Sequence, residues 1–381
     1  MRVFVVGAGP GGVSAALELS RGGADVWLAE KEAWPRPKTC GDGISPHALA
    51  ELSELGVSAR GEVKLSSAFI STPGGHAFRG SWPAKKPWGT ILERRDFDAA
   101  LVAAAVSSGT RFLPSSRVER IQPCPDGVEI LVRAGGSQTQ HFTADAAIVA
   151  EGATGRLAQH LGFPAYRSRL VALRGYVVSE RPLAPEYGIF YERAISPGYG
   201  WIFPLDDRHA NVGIIVDDCR LRRLGGNLRM LLDRWLESNE LPRNILGDRV
   251  RIDGVEGGII PSGRSRRSMS RVFLVGDAAG VADPFTAEGI SQAIVSGRLA
   301  ARSLLESRHV EEARSRFERD ISIFDRNERA ARALRVTFNT AIGLFAKHAA
   351  SKRSFADTLS TLAFFSKTGF VDFVGSLLRA W

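Results

Sequence analysis

Cysteine is scarce in this chain of 381 residues: Cys40, Cys124 and Cys219 stand far apart, with no CxxC pair among them. That excludes a disulfide framework and a structural zinc site, and it fits a reducing cytoplasm. Long apolar runs are also missing. The longest charge-free stretch near the C-terminal end, Val336 to Ala346, falls well short of the ~20 residues that cross a bilayer, so no membrane span is expected. The opening "MRVFVVGAGPGG" carries only a few apolar residues and runs into glycines rather than a cleavage site, so it reads as a buried strand and not as a signal peptide. Internal repeats, low-complexity segments, metal-ligand clusters and nucleophile–histidine–acid patterns are absent, and no metal is expected.

Acidic residues fall short of basic ones, 41 against 50, giving a net charge of +9 and a pI near 9.8. An excess of that size points to nucleic acid, an anionic membrane surface or a phosphorylated substrate. The basic residues gather in "GRSRRSMSR" (Gly263 to Arg271) and recur as Arg326, Arg329, Arg332 and Arg335, but no nucleic-acid module or aromatic-interleaved basic strand goes with them. Nucleic acid is therefore set aside. The cluster reads first as solvated loop and helix surface, and second as a peripheral contact with an anionic membrane.

What is present is an ordinary globular composition, 44% hydrophobic and 24% charged, long enough for one large core or two linked ones. "RVFVVGAGPGGVSAALELSRGGADVWLAEKE" reads as strand, glycine turn, helix and strand, with Glu30 closing the second strand. Gly7, Gly9 and Gly12 form GxGxxG, with Gly11 between them. The context makes the motif specific: Gly7 permits the tight turn, Gly9 lets backbone approach a pyrophosphate, and Gly12 lets the helix lie close to the strand. Free N–H groups at the helix start would face the phosphates, and Glu30 would accept from the ribose hydroxyls of an adenosine.

Two later segments bear on which dinucleotide is bound. "SRVFLVGDAAGVADPFTAEGISQAIVSGRLAA" (Ser270 to Ala301) is a second apolar strand, running into Gly276-Asp277, a loop, and a helix that begins near Glu288-Gly289-Ile290. "ILERRDFDAAL" carries R-x-x-F-D at Arg94, Phe97 and Asp98. Together these resemble the flavoprotein superfamily of para-hydroxybenzoate hydroxylase. The resemblance implies FAD, with Asp277 on a ribityl hydroxyl and Arg94 as a further cofactor contact. The dipole of the helix starting near Gly289 and Ile290 would stabilise negative charge on the reduced ring. Members using NADPH directly often carry an aspartate-glycine motif followed by serine and arginine. In "VAEGATGRLAQHLG" (Val149 to Gly162) Glu151, Gly155 and Ala158 stand there instead, which argues against direct NADPH use. NADPH, ferredoxin or a quinol stay open as the electron donor.

The cofactor segments lie at both ends of the first 310 or so residues, so the nucleotide unit is discontinuous. The fold class is α/β: a discontinuous Rossmann-like FAD-binding domain (1–65, 94–164 and 262–305), an inserted antiparallel β-sheet substrate domain (66–93 and 165–261) and a helical C-terminal region (306–381). Residues 111–150 read as a short meander turning at "PCPDG" and "RAGGSQ", and 165–261 as a block of strands, the pair "GYGWIFPL" and "ANVGIIVDD" being joined at "DDRH". Alternation puts Tyr199, Trp201 and Phe203 on one face, with Gly200 and Ile202 on the other. From about Leu304 onward the pattern is helical. Apolar stripes run through Leu334, Phe338, Ala341 and Phe345, and again through Phe370, Val374, Leu377 and Trp381.

Within that superfamily three stretches resemble the geranylgeranyl reductase family: "KTCGDGIS", "PGYGWIFP" and "GDAAGVADPFTAEGI". The likeness covers roughly residues 1–300. It implies reduction of a carbon–carbon double bond in a prenyl substrate by reduced FAD. It also gives Cys40 a place on a loop reaching the flavin ring, with Arg36 at its start and Gly41 and Gly43 letting backbone pass near the cofactor. Cys40, as a thiol of unperturbed pKa near ~8.5, is a candidate proton donor or a shaper of the pocket. The Tyr199 hydroxyl is a second candidate donor, and Tyr199, Trp201 and Phe203 would line an apolar tunnel for a hydrophobic small molecule. The alternatives are a flavin monooxygenase or halogenase acting on an aromatic group, and a flavoprotein without catalysis. Gly280 stands where hydroxylases of the superfamily often have histidine, and the halogenase W-x-W-x-I-P motif is missing.

Overall fold

The computed structural model describes residues 1–334 other than 60, 62, 73–75, 82–88, 136–137, 197 and 285. The strand Arg2–Val6 is apolar at four successive positions and buried at all of them, as a central parallel strand covered on both faces must be. It sits inside a six-stranded sheet in the order Ser268–Met269, Val272–Leu274, Ala146–Val149, Arg2–Val6, Asp25–Ala29, Arg111–Leu113. All neighbours run parallel except the first pair. The helices Pro10–Arg21 and Ile290–Leu305 pack so closely that a Cβ added at Gly297 would lie 2.1 Å from the Gly11 carbonyl oxygen. The meander forms from the middle three strands of its segment, Ser116–Pro123, Val128–Ala134 and Gln138–Ala144. It rests on the parallel sheet through Phe142, whose ring meets Phe4 at 5.1 Å and Trp27 at 5.0 Å. The outer strands of that segment, Arg111–Leu113 and Ala146–Val149, belong to the parallel sheet instead.

A seven-stranded sheet is built in the order Ile252–Ser262, Ser168–Val178, His209–Asp217, Tyr199–Pro204, Tyr187–Phe190, Ser67–Ser71, Ala77–Ser81. It is antiparallel but for one pair, Tyr187–Phe190 with Ser67–Ser71, whose strands come from separate pieces of the chain. Three helices, Asp218–Arg223, Leu228–Ser238 and Glu240–Leu246, interrupt the run expected as strands alone. Their signal was a 3.6-residue period: Leu228, Leu231, Leu232 and Trp235 form one stripe that packs on Ile202, Val212, Ile214 and Val216 of the sheet. The opposite face carries Leu170, Trp201 and Ile215, with Tyr199, Phe203 and Ile260 beside them.

The helices Val310–Ile321 and Ile323–Leu334 close the described chain, with Phe317 against Phe273 at 5.4 Å. They also correct the expectation for the basic stretch. Arg264 and Arg267 are buried rather than solvated. Arg267 forks onto Asp325 at 2.7 and 3.1 Å and donates to the Ala279 carbonyl at 3.0 Å, while Arg264 lies over the Tyr166 ring at 4.2 Å. Their charge is taken up inside the fold, where a carboxylate, an aromatic face and backbone carbonyls replace water around the guanidinium groups. Arg335 and the stripes from Phe338 to Trp381 lie outside the described residues. No helix among the described residues is long and apolar enough to cross a membrane.

Candidate active site

One cavity of about 1660 Å³ runs between the parallel sheet and the seven-stranded sheet, and it takes its walls from both. At one end lies the glycine turn. Gly7 has φ +96° and a Cβ there would meet the Ala150 carbonyl oxygen at 2.3 Å, while at Gly12 it would meet the Gly7 carbonyl oxygen at 2.0 Å. Turn and helix therefore touch backbone to backbone. At Gly9, by contrast, nothing lies within 4 Å, and Gly9, Pro10 and Gly11 border the cavity. Gly9 caps the helix with no side-chain bond, so the first-turn N–H donors open toward that space. Glu30, buried at the end of its strand, accepts from the backbone of Ala8 and Glu32 and from Arg36 Nε, each at 3.1 Å. Arg36 also reaches Asp98 at 2.8 Å, and Arg94 forks onto the same carboxylate at 2.9 and 2.8 Å. Arg94 is thus a buried, fixed cation in the cavity wall.

Asp277 lies in the short turn Gly276–Ala279, and its carboxyl is raised above the usual range by burial, with Lys38 and Arg94 pulling the other way. Gly289 caps the helix Ile290–Leu305, again without a side-chain bond, and both Gly289 and Ile290 line the cavity. Two uncapped helix starts, a slot at Gly9 that a side chain would fill, and a desolvated carboxylate facing the same space fit a dinucleotide with a hydroxylated chain. These residues would hold FAD. Glu151, in the place of the superfamily aspartate, accepts from the backbone of Leu157 and Ala158 at 2.8 Å each and so caps the helix Arg156–His160.

The other end is aromatic. Tyr199, Trp201 and Phe203 all border the cavity, whereas Gly200 faces away and a Cβ there would meet Trp235 at 2.5 Å. Tyr187 meets Phe203 edge-on at 5.2 Å and Tyr191 meets Tyr199 at 5.6 Å, extending the wall toward Ile70, Phe78 and Ile189. The hydroxyls fasten the wall to other segments: Tyr199 donates to the Thr286 carbonyl, and Tyr187 to that of Ile44 at 2.9 Å. Burial raises both phenols, so each stays protonated. The Tyr199 proton is committed to Thr286, and giving it to a substrate would break that bond.

Cys40 sits where the two ends meet, half-buried and lining the cavity with Arg94. Its pKa is not the unperturbed one expected. Burial pushes it up, the Arg94 charge offsets part of that, and Asp42 adds to the rise. The glycines beside it serve the aromatic wall: a Cβ at Gly41 would lie 3.3 Å from Trp201 Nε1, and one at Gly43 would lie 3.2 Å from Phe203. The sequence reading missed what holds this loop. Asp42, buried with φ +60°, accepts from the Tyr176 hydroxyl at 2.7 Å and from Asn211 Nδ2 at 2.8 Å. Ser45 donates to Glu288, to which Ser291 also donates at 2.7 Å. Only the helix-capping use of Ser45, accepting from the Ala48 backbone at 3.1 Å before Pro46, had a local sequence signal.

A fixed cation, two open helix starts and a buried carboxylate around one slot, continuous with an apolar chamber, make this an FAD-dependent oxidoreductase. The model of the FAD binding domain family matches residues 1–209. Menaquinone reductase of Mycobacterium tuberculosis is 32% identical over 320 residues, covering 80% of this chain and 76% of that one. Digeranylgeranylglycerophospholipid reductase 2 of Methanopyrus kandleri is 30% identical over 315 residues, covering 80% and 77%. Among solved structures, a geranylgeranyl bacteriochlorophyll reductase-like protein of Thermoplasma acidophilum superposes with a TM-score of 0.78 at 23% identity, over 100% of this chain and 96% of that one. The chain belongs to the geranylgeranyl reductase family of FAD-dependent oxidoreductases.

Proposed function

We propose that this protein saturates carbon–carbon double bonds in the prenyl chain of a lipid or quinone. The observation that carries this is the continuity of the cavity: the slot bordered by Gly9, Arg94 and Asp277 opens without a partition onto the chamber walled by Tyr187, Trp201 and Phe203. Two relatives named as reductases of menaquinone and of a digeranylgeranyl phospholipid support it, since both compounds carry long isoprenoid chains. The halogenases and hydroxylases among the structural neighbours share the fold alone.

When bound, FAD in its reduced form supplies a hydride to one carbon of the double bond. An isolated alkene is barely polarised, so the protein's part is to align it and exclude water. Tyr199, Trp201 and Phe203 offer flat apolar area for that. The second carbon needs a proton, and the Cys40 thiol, kept protonated by burial, holds one at the junction of slot and chamber. Arg94 is placed to offset the negative charge left on sulfur.

The test begins with the flavin photoreduced without oxygen. It is then re-oxidised either with a graded series of prenylated acceptors or with oxygen and an aromatic substrate. Reduction of the former is expected, with affinity climbing as each buried CH₂ adds ~0.8 kcal/mol. A series flat in chain length would remove the prenyl reading and put hydroxylation first.

A further inference from the structure

We infer that Asn211 is a positioning residue that locks the Cys40 loop to Trp201, and so sets the distance between the two walls that enclose the reacting alkene. The inference rests on the reductase reading for its catalytic consequence, but not for its geometry. Asn211 is fully buried on the strand His209–Asp217 and uses every polar atom of its side chain. Its Nδ2 donates to the Cys40 carbonyl at 3.0 Å and to Asp42 at 2.8 Å, and its Oδ1 accepts from Trp201 Nε1 at 2.9 Å. The amide orientation follows from its partners: an indole N–H can only donate and a backbone carbonyl can only accept, so the flipped amide would lose both bonds. Asp42 is in turn fixed by the Tyr176 hydroxyl at 2.7 Å, in a left-handed backbone conformation.

One amide thus spans a loop at positions 40–42 and an aromatic strand at 201, and its bond to Asp42 joins residues 169 positions apart. Gly41 lies in the gap between them, too close to the Trp201 ring for any larger residue without displacement. Loop and ring are therefore a single assembly. If the amide lets go, the loop loses its tie to the ring and is held only from its far side, by Tyr176 on Asp42 and by backbone pairing to Ile91 and Leu92, so the segment carrying the Cys40 thiol opens more readily. A bond network buried this completely rigidifies what it joins, because each unpaired group would carry a desolvation cost.

The measurement is alkylation of Cys40 by iodoacetamide, followed peptide by peptide in the purified holoenzyme so that Cys124 and Cys219 do not interfere. The rate is taken across pH, because its plateau reports access and its midpoint reports ionisation. Asn211→Leu keeps the branching and heavy-atom count, though with bulkier methyl groups, and removes all three bonds. Tyr176→Phe removes only the outermost hydroxyl, at a half-buried position, and serves if the first variant does not fold. The plateau rate should rise by about tenfold or more in Asn211→Leu and severalfold in Tyr176→Phe, as expected when opening of the loop loses one or more hydrogen bonds. Plateau rates equal to the parent enzyme in a folded variant overturn the clamp. Turnover of a prenylated acceptor should fall in the same order, with incompletely reduced products accumulating. A loop that opens while turnover and product pattern stay constant overturns the positioning role. A parent enzyme that reduces no prenylated acceptor at all refutes the reductase reading, and alkylation still decides the clamp.

Discussion

The two ends of the cavity are made in different ways. The cofactor end is mostly backbone: Gly7, Gly9, Gly12, Gly276 and Gly289 shape it by lacking side chains, and helix starts supply its donors. The substrate end is mostly side chain, with rings held by hydroxyls and an amide that reach across the chain. A backbone site tolerates almost no added atom but reads only the shape and charge of its ligand. A side-chain site tolerates substitution, and its selectivity moves with every ring.

The sharpest way to break that contrast is to add one carbon at the cofactor end. Gly12→Ala would place a Cβ 2.0 Å from the Gly7 carbonyl oxygen, a backbone atom that cannot yield cheaply. Overpacking typically costs ~1–3 kcal/mol, with a backbone clash this close at the upper end, and the expected outcome is loss of bound flavin, read as absorbance per mole of protein. A yellow, stable Gly12→Ala protein would show that the turn is more plastic than the geometry allows.

Removing many atoms at the substrate end should do less to the cofactor. Trp201→Ala is expected to keep FAD while weakening the longest prenyl ligands most, on the order of the ~3–5 kcal/mol typical of large aromatic truncation, and less if the ligand fills the space. Asp277→Ala is its mirror: a loss of ~1.5–3 kcal/mol in flavin affinity with the chain-length preference untouched. Flavin fluorescence titrations of both variants decide the matter. If Trp201→Ala loses flavin, or Asp277→Ala changes the chain-length slope, the two ends are not separable.

The smallest effect concerns Cys40, which belongs to both ends. Burial raises its pKa, so the thiol stays protonated through neutral pH and loses its proton only above the ordinary range near ~8.5. If it gives a proton in turnover, rate should be flat through neutrality and fall as pH rises through the raised pKa. Cys40→Ser should keep flavin and fold, slow the reaction, and lack that alkaline limb. An identical pH profile in the variant would leave Cys40 as part of the wall only.

The same contrast decides what could be read in the sequence. A glycine turn followed by a helix and an acid is contained within a few dozen residues, so Gly7 to Glu30 and Gly276 to Ile290 were visible without a structure. The alternation of Tyr199, Trp201 and Phe203 was visible too, because a strand has a period of two. Asn211 was not: its neighbours Ala210 and Val212 mark a strand, and nothing local says that its amide meets Asp42. Ser45 and Glu288, 243 positions apart, were hidden for the same reason. Arg264 and Arg267 misled, since a run of arginines looks solvated until Asp325 and Tyr166 are seen beside it.

The parallel pairing of Tyr187–Phe190 with Ser67–Ser71 has a consequence for how the chain comes together. On a ribosome the glycine turn and its first helix are complete while Ser67–Ser71 has only the hairpin partner Ala77–Ser81 beside it. Its other edge then waits until Tyr187–Phe190 has been made, and the seven-stranded sheet cannot become whole before Ile252–Ser262 emerges. Closure of so long a loop is slow, and an open strand edge invites wrong partners in the meantime. The parallel sheet likewise waits for Val272–Leu274, so both walls of the cavity keep an open edge until these late strands have been made.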